Sequence, residues 1–304
     1  MSRFLSVLAL GWVASFMLGL DAKSDAQDKK EKVLVCSTTQ VADFARQVVG
    51  DDWEVQCVLQ PGQDPHLYKT TLADLEMVRN ADLCLQNGWD LEGHEWMARI
   101  AKSAGKEVVT CVSGIKPLQT EDDDGKLTVK DPHCWMRPGN VVTYIKNITK
   151  AVSKIDPGNA DKFKARASLY IFQLQALDSW IKQQVNQIPA NRRILVTHHD
   201  AFGYFCQTYG FKAKSPGSWN TEELSGISTA RRLEVSKAIR EVGAKAIFIE
   251  TTLNSEMMTL IAKEAGVKIG GSLYSDSMGA ENSAGETYIG MMRENVTTIV
   301  EALK

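Results

Sequence analysis

Five histidines are spread over 304 residues, and two of them close the same triplet, Asp64-Pro65-His66 and Asp131-Pro132-His133. Proline fixes its own φ and biases the preceding residue away from helix, so each triplet presents its imidazole from a rigid turn. The aspartate of each triplet is placed to accept a hydrogen bond from the far ring nitrogen and so set the tautomer. A third imidazole stands at the end of the apolar run 194–197, where His198 and His199 are adjacent. Strand alternation turns one of the two toward a common site, and nothing local says which. Asp276 follows a further apolar run, 267–270. Three imidazoles and a carboxylate suit one borderline divalent ion. Neutral imidazole binds such ions well, and the carboxylate adds a harder oxygen and a balancing charge.

Other polar residues near these positions have weaker claims. Cys134 follows His133 directly and offers a soft sulfur, but in an extended segment its side chain points away from its neighbour's. His94 falls in a predicted helix, on the surface. Glu250 ends an apolar run and reads either as a support behind a ligand or as a fifth ligand. The acidic run from Glu121 to Asp124 reads as a solvated loop, with cation collection as the minor alternative.

The elements that must hold these residues alternate along the chain. Strands are expected at 33–37, 54–59, 81–85 and 107–112, separated by helices at 41–49, 71–79 and 91–103. The pattern resumes with strands at 193–197, 246–250 and 267–270, and helices at 201–209, 232–242, 255–265 and 287–303. Strands separated by helices of about ten residues imply parallel pairing in βαβ units. Between the two runs, Phe163, Ala167, Tyr170, Leu174, Leu177, Ile181, Val185 and Ile188 recur at intervals of three or four. That stripe predicts one helix of about 30 residues and roughly 45 Å, stiff enough to join two lobes. His66, His199 and Asp276 each follow a strand, the place where open α/β sheets bind ligands.

Composition narrows the function classes. A formal net charge of -2 gives no footing for nucleic acid, and 24% charged with 44% hydrophobic residues is ordinary for a globular protein. Arg3 followed by the apolar run 4–20 and the small-residue site at 24–26 reads as a secretory signal peptide, the alternative being an uncleaved anchor. The first cysteine is Cys36, so lipid anchoring near the apolar stretch is not expected and the mature chain is placed in a periplasm. Six irregularly spaced cysteines lie mostly in apolar runs and read as core residues, with no pairing deducible.

In this order, Asp64-Pro65-His66, Asn87-Gly88 with Leu91-Glu92, Asp131-Pro132-His133 before Trp135, His199-Asp200-Ala201-Phe202-Gly203-Tyr204-Phe205, Ile247-Phe248-Ile249-Glu250 and Ser275-Asp276 resemble the TroA-type substrate-binding proteins of zinc and manganese ABC importers. The resemblance spans nearly all of the mature chain. It implies an α/β fold of two Rossmann-like lobes with parallel sheets, joined by one long backbone helix, with the metal in the cleft between them. It implies the divisions 1–26 signal peptide, 28–155 first lobe, 156–189 linking helix and 190–304 second lobe. It selects His199 over His198 and gives the ligand set His66, His133, His199 and Asp276. It also implies a monomer that carries Zn²⁺ or Mn²⁺ as cargo, not as a catalytic cofactor, and hands it to a membrane permease. The chain departs from the pattern where many zinc-specific members have a histidine-rich loop. It departs again at 226–232, which lacks the acidic and proline residues often found there.

The rival classes are a secreted mononuclear metal hydrolase and a metal-stabilised adhesin. A hydrolase needs an open coordination position and a positioned base, and the chain has neither an H-E-x-x-H nor a G-x-S-x-G motif. No sequence feature favours the adhesin.

Overall fold

A computed structural model describes residues 31–121, 127–215 and 228–304 of the chain, with backbone alone over 119–121, 127–129 and at Arg231. The expected signal peptide and most of the acidic run lie outside the described residues.

The first lobe is built on four parallel strands, β1 (Lys32–Cys36), β2 (Trp53–Cys57), β3 (Leu83–Gln86) and β4 (Val108–Thr110), in the order β2-β1-β3-β4. Their connections run through α1 (Thr39–Val49), α2 (Leu72–Asn80) and α3 (Trp96–Ser103). Capping residues set the starts. The Thr38 hydroxyl accepts the Val41 N–H, and Thr71 and Asp74 form a reciprocal capping box. The helix expected over 91–103 begins only at Trp96. His94 and Glu95 adopt φ of 56° and 53°, the left-handed region, which breaks the helix before it. His94 is exposed there, as expected, but in a turn.

An antiparallel hairpin, β5 (Gln119–Glu121) and β6 (Leu127–Lys130), leads to the second Asp-Pro-His triplet. Then comes a helix that the sequence reading passed over, α4 (Pro138–Ile155), begun by proline at its first position. The long helix α5 (Ala160–Val185) follows, 26 residues or about 39 Å. Its buried positions are Phe163, Ala167, Tyr170, Leu174, Leu177, Ile181 and Val185, the predicted stripe. It is shorter than expected because Pro157–Asn159 forms a separate tight turn and the helix ends at Val185.

The second lobe has two parallel pairs. β7 (Ile194–Val196) pairs with β8 (Lys212–Lys214), and β9 (Ala246–Glu250) with β10 (Lys268–Leu273). Helices α6 (Gly203–Tyr209), α7 (Thr229–Glu241), α8 (Glu256–Ala265) and α9 (Tyr288–Leu303) complete it. Left-handed Gly210 and Gly266 end α6 and α8, where a Cβ would be strained. One continuous apolar core runs from α1 and α4 through α5 to α6 and α9. The linking helix is therefore core to both lobes.

Candidate metal centre

Both Asp-Pro-His triplets fold as turns in which the aspartate accepts the backbone N–H two residues on. The distances are 2.8 Å from His66 N to Asp64 Oδ1 and 2.9 Å from His133 N to Asp131 Oδ1. At the second triplet the same oxygen also lies 2.9 Å from His133 Nδ1, the expected tautomer-setting contact. In the second lobe, the backbone N–H groups of His198 and His199 both donate to Glu250 Oε1 at the end of β9, at 2.8 and 3.0 Å. Glu250 Oε2 stands 2.8 Å from His199 Nδ1. Asp276 lies in the loop after β10. Its neighbours are fastened to the first lobe: the Ser275 carbonyl accepts Gln40 Nε2 and Trp135 Nε1, Ser277 Oγ accepts the Gly62 N–H, and Met278 N–H donates to Thr39 Oγ1.

The structure brings His66, His133, His199 and Asp276 together, all four buried, with one ligand atom of each within 4.8 Å of the others. His199 Nε2 is 3.4 Å from His133 Nε2 and 3.0 Å from Asp276 Oδ2; Asp276 Oδ1 is 3.2 Å from His133 Nε2. His66 Nε2 lies 3.7 Å from Asp276 Oδ2. A tetrahedral ion with bonds of about 2.1 Å has donor–donor edges of about 3.4 Å, and these distances scatter around that figure.

The electrostatics point the same way. With its ring proton on the Nδ1 that faces a carboxylate, each of His133 and His199 turns a bare Nε2 inward. Those lone pairs meet both oxygens of Asp276, which are buried without a hydrogen-bond donor, as is His66 Nε2. A buried cluster of acceptors is unfavourable unless something positive sits among them. In the metal-free chain, protons do this. Burial pulls His133 down, but Asp276 and Asp131 outweigh it and lift it to about 9. Burial likewise opposes a proton on His199, and Glu250 and Asp276 override it and raise its pKa well above the ordinary value. Burial works against ionised Asp276 too, yet the His199 and His133 charges hold its carboxyl well below the usual range. For His66 burial prevails, lowering it to about 3.

The remaining candidates fall outside the cluster. His198 is buried but not among the converging atoms, and His94 is exposed. Cys134 turns its sulfur toward the Asp131 carbonyl, and burial pushes its thiol up to about 12, far from a thiolate ligand. Glu250 stands behind His199, on the Nδ1 side of its ring, and is not among the converging atoms. All six cysteines are free thiols, and all but Cys57 are buried, in keeping with a core role. Sequence reasoning missed the clamp on the Asp276 loop, because Gln40, Thr39 and Trp135 lie more than 130 residues from it in the chain.

Comparison with known proteins finds metal-binding proteins among those similar to this chain. The chain is 35% identical over 313 residues to the zinc-binding protein TroA of Treponema pallidum (strain Nichols), covering 98% of this chain and 96% of that one. It is 32% identical over 286 residues to the manganese-binding lipoprotein MntA of Halalkalibacterium halodurans, covering 94% and 93%. The solved structure of periplasmic zinc-binding TroA from Treponema pallidum superposes with a TM-score of 0.83 at 32% identity, over 90% of this chain and 99% of that one. The family model for ZnuA, the periplasmic component A of a zinc-uptake complex, matches residues 34–302, and the chain belongs to that family.

Proposed function

We propose that this protein is an extracytoplasmic receptor that captures Zn²⁺ or Mn²⁺ through His66, His133, His199 and Asp276 and delivers it to the permease of an ABC-type importer. The observation that carries the reading is the buried convergence of three imidazole nitrogens and an unpartnered carboxylate at the edge lengths of a four-ligand ion. The metal is cargo, held between a first lobe over 28–155 and a second over 190–304, with residues 156–189 as the link. The protein acts as a monomer, and export is directed by residues 1–26. Several of the similar proteins are named lipoproteins, which runs against the expectation that lipid anchoring is absent; Cys36 itself closes β1 and is wholly buried.

A hydrolytic role has less support. A catalytic metal keeps a position open to water, whereas no ligand here is more than 5% exposed. Elemental analysis of protein purified from its native compartment tests the proposal. The expected result is about one equivalent of zinc or manganese per chain, lost in His199→Ala; metal-free native protein that takes up neither ion would refute it.

A further inference from the structure

The two first-lobe histidines come from triplets 67 residues apart in the chain, yet one short segment grips both of them. Trp96 Nε1 donates to the Pro65 carbonyl at 2.9 Å, and Asn87 Nδ2 donates to the Pro132 carbonyl at 3.1 Å. Each bond is made to the residue immediately before a metal-facing histidine. Between these two grips the backbone takes an unusual course. Trp89, Asp90, His94 and Glu95 all have φ between 53° and 60°, a conformation that side chains with a Cβ rarely adopt. Such a course persists only where the surroundings over-determine it.

Glu92 is what over-determines it. Its carboxylate is buried, 2% exposed, and both oxygens are used. Oε1 accepts the Ser37 hydroxyl at 2.6 Å and the Asn87 N–H at 2.7 Å, and Oε2 accepts the Gly88 N–H at 3.0 Å. The Tyr144 hydroxyl donates to Asn87 Oδ1, orienting that amide so that its Nδ2 meets Pro132. Gly93 backs directly onto the His66 carbonyl oxygen, where any Cβ would collide. The segment thus touches one triplet through Gly93 and Trp96 and the other through Asn87, with Glu92 tying its course to the end of β1.

We propose that residues 87–96 form a spacer that sets the separation of His66 and His133, with Glu92 and Trp96 as positioning residues for metal capture. The inference rests on the metal-binding reading above. A rigid spacer fixes two of the four ligands before the ion arrives, which confines the rearrangement on binding to the second lobe.

The test compares Trp96→Phe and Glu92→Gln with Trp53→Phe in the full chain. Trp53→Phe also removes a buried indole donor from the first lobe, the bond to Asp156 Oδ2, but at the far side from the triplets. Co²⁺ serves as probe, read by competition with a chelator and by its visible absorption bands, and metal-free melting is measured in parallel. Trp96→Phe and Glu92→Gln are expected to weaken Co²⁺ binding by roughly tenfold or more and to shift the absorption bands, as removal of outer support for ligands does. Trp53→Phe is expected to lower melting alone. Wild-type affinity and spectrum in both variants, whatever their melting, would overturn the spacer role and leave the metal site standing. If Glu92→Gln does not fold, Trp96→Phe decides by itself. A wild-type chain that binds no Co²⁺ would overturn the metal reading and the spacer with it.

Discussion

Replacing Asp131 by asparagine tests whether the carboxylates behind the imidazoles tune the site. The substitution keeps the shape of the turn and removes a charge 2.9 Å from His133 Nδ1. Adding the ring and a metal–nitrogen bond of about 2.1 Å puts that charge roughly 6–7 Å from the bound ion. At an effective dielectric of about 20, a unit charge and a divalent ion attract by about 5 kcal/mol over that distance. Much of this is offset, because the protons that the ion displaces from the imidazoles sit in the same field. The expected net loss is about 1.4–2.7 kcal/mol, a 10- to 100-fold rise in Kd, the range typical for removing such a partner. The effect is also pH-dependent. Burial lowers His133, but Asp276 and Asp131 hold it at about 9. Below that pH the metal must displace a proton, so wild-type affinity falls as pH drops. Asp131→Asn lowers this pKa, so the variant has less to displace and a flatter curve. The gap is therefore widest near about pH 8.5 and narrows toward about pH 6. Chelator competition on wild type and variant across that range measures it. No gap, or one that widens as pH falls, refutes the reasoning.

His66→Ala, His133→Ala and His199→Ala should each raise Kd by roughly 100-fold or more, about 2.7 kcal/mol, in titration calorimetry. His94→Ala and His198→Ala should stay within a few fold; if His198→Ala is the damaging member of its pair, the ligand assignment is off by one residue. Metal at a hundredfold excess over Kd should add about 2.7 kcal/mol of stability, raising Tm by about 4–5 °C for a chain of this size; an unchanged melt with every divalent ion tested would sink the site. In equimolar competition zinc should displace manganese, since manganese stands low in the order of divalent affinities, and retention of manganese would show that the site overrides that order. Leu174→Ala, at a position 1% exposed within the stripe of α5, should cost about 2–5 kcal/mol in denaturant melts; a loss near zero would mean that α5 is not core to both lobes.

The parts legible in the sequence were those written in local pattern. The stripe from Phe163 to Val185 encodes α5, and the alternation of apolar runs encodes the parallel strands. The triplets were legible because proline after aspartate constrains the backbone within three residues. What stayed hidden depends on distant partners or on short signals. β8 is Lys-Ala-Lys, three exposed residues that become a strand only beside β7. The helix α4 carried a readable signal, Pro138 followed by Val141, Tyr144, Ile145, Ile148 and Val152, all buried. The premature break before Trp96 was not readable, since four non-glycine residues with positive φ go against local preference and are held by distant partners, Glu92 with Ser37 and Trp96 with Pro65 among them. The choice of His199 over His198 needed resemblance; in the structure Glu250 accepts both backbone N–H groups and stands 2.8 Å from His199 Nδ1, on the side of the ring away from the cluster.

The mounting of the four proposed ligands bears on how an ion would be gripped and released. Four residues offer five acceptor atoms, counting both oxygens of Asp276, and all are buried. An ion so enclosed exchanges only when the enclosure opens, so the strength of grip is governed by which ligand each lobe holds. His66 and His133 belong to the first lobe. Asp276 belongs to the second by chain order, yet its loop is fastened to the first through Gln40, Trp135, Thr39 and Gly62. His199 is held directly by Glu250 of the second lobe, and the helix after it is tied to the first lobe through Tyr204, which donates to the Asp131 carbonyl and accepts the Leu118 N–H. A separation of the lobes that broke the Tyr204 ties would act on the His199 contacts, 3.0 Å to Asp276 and 3.4 Å to His133, while the Asp276 loop stayed with His66 and His133. Losing one ligand of four weakens the grip without scattering the site, which suits a protein that must release its ion and bind another.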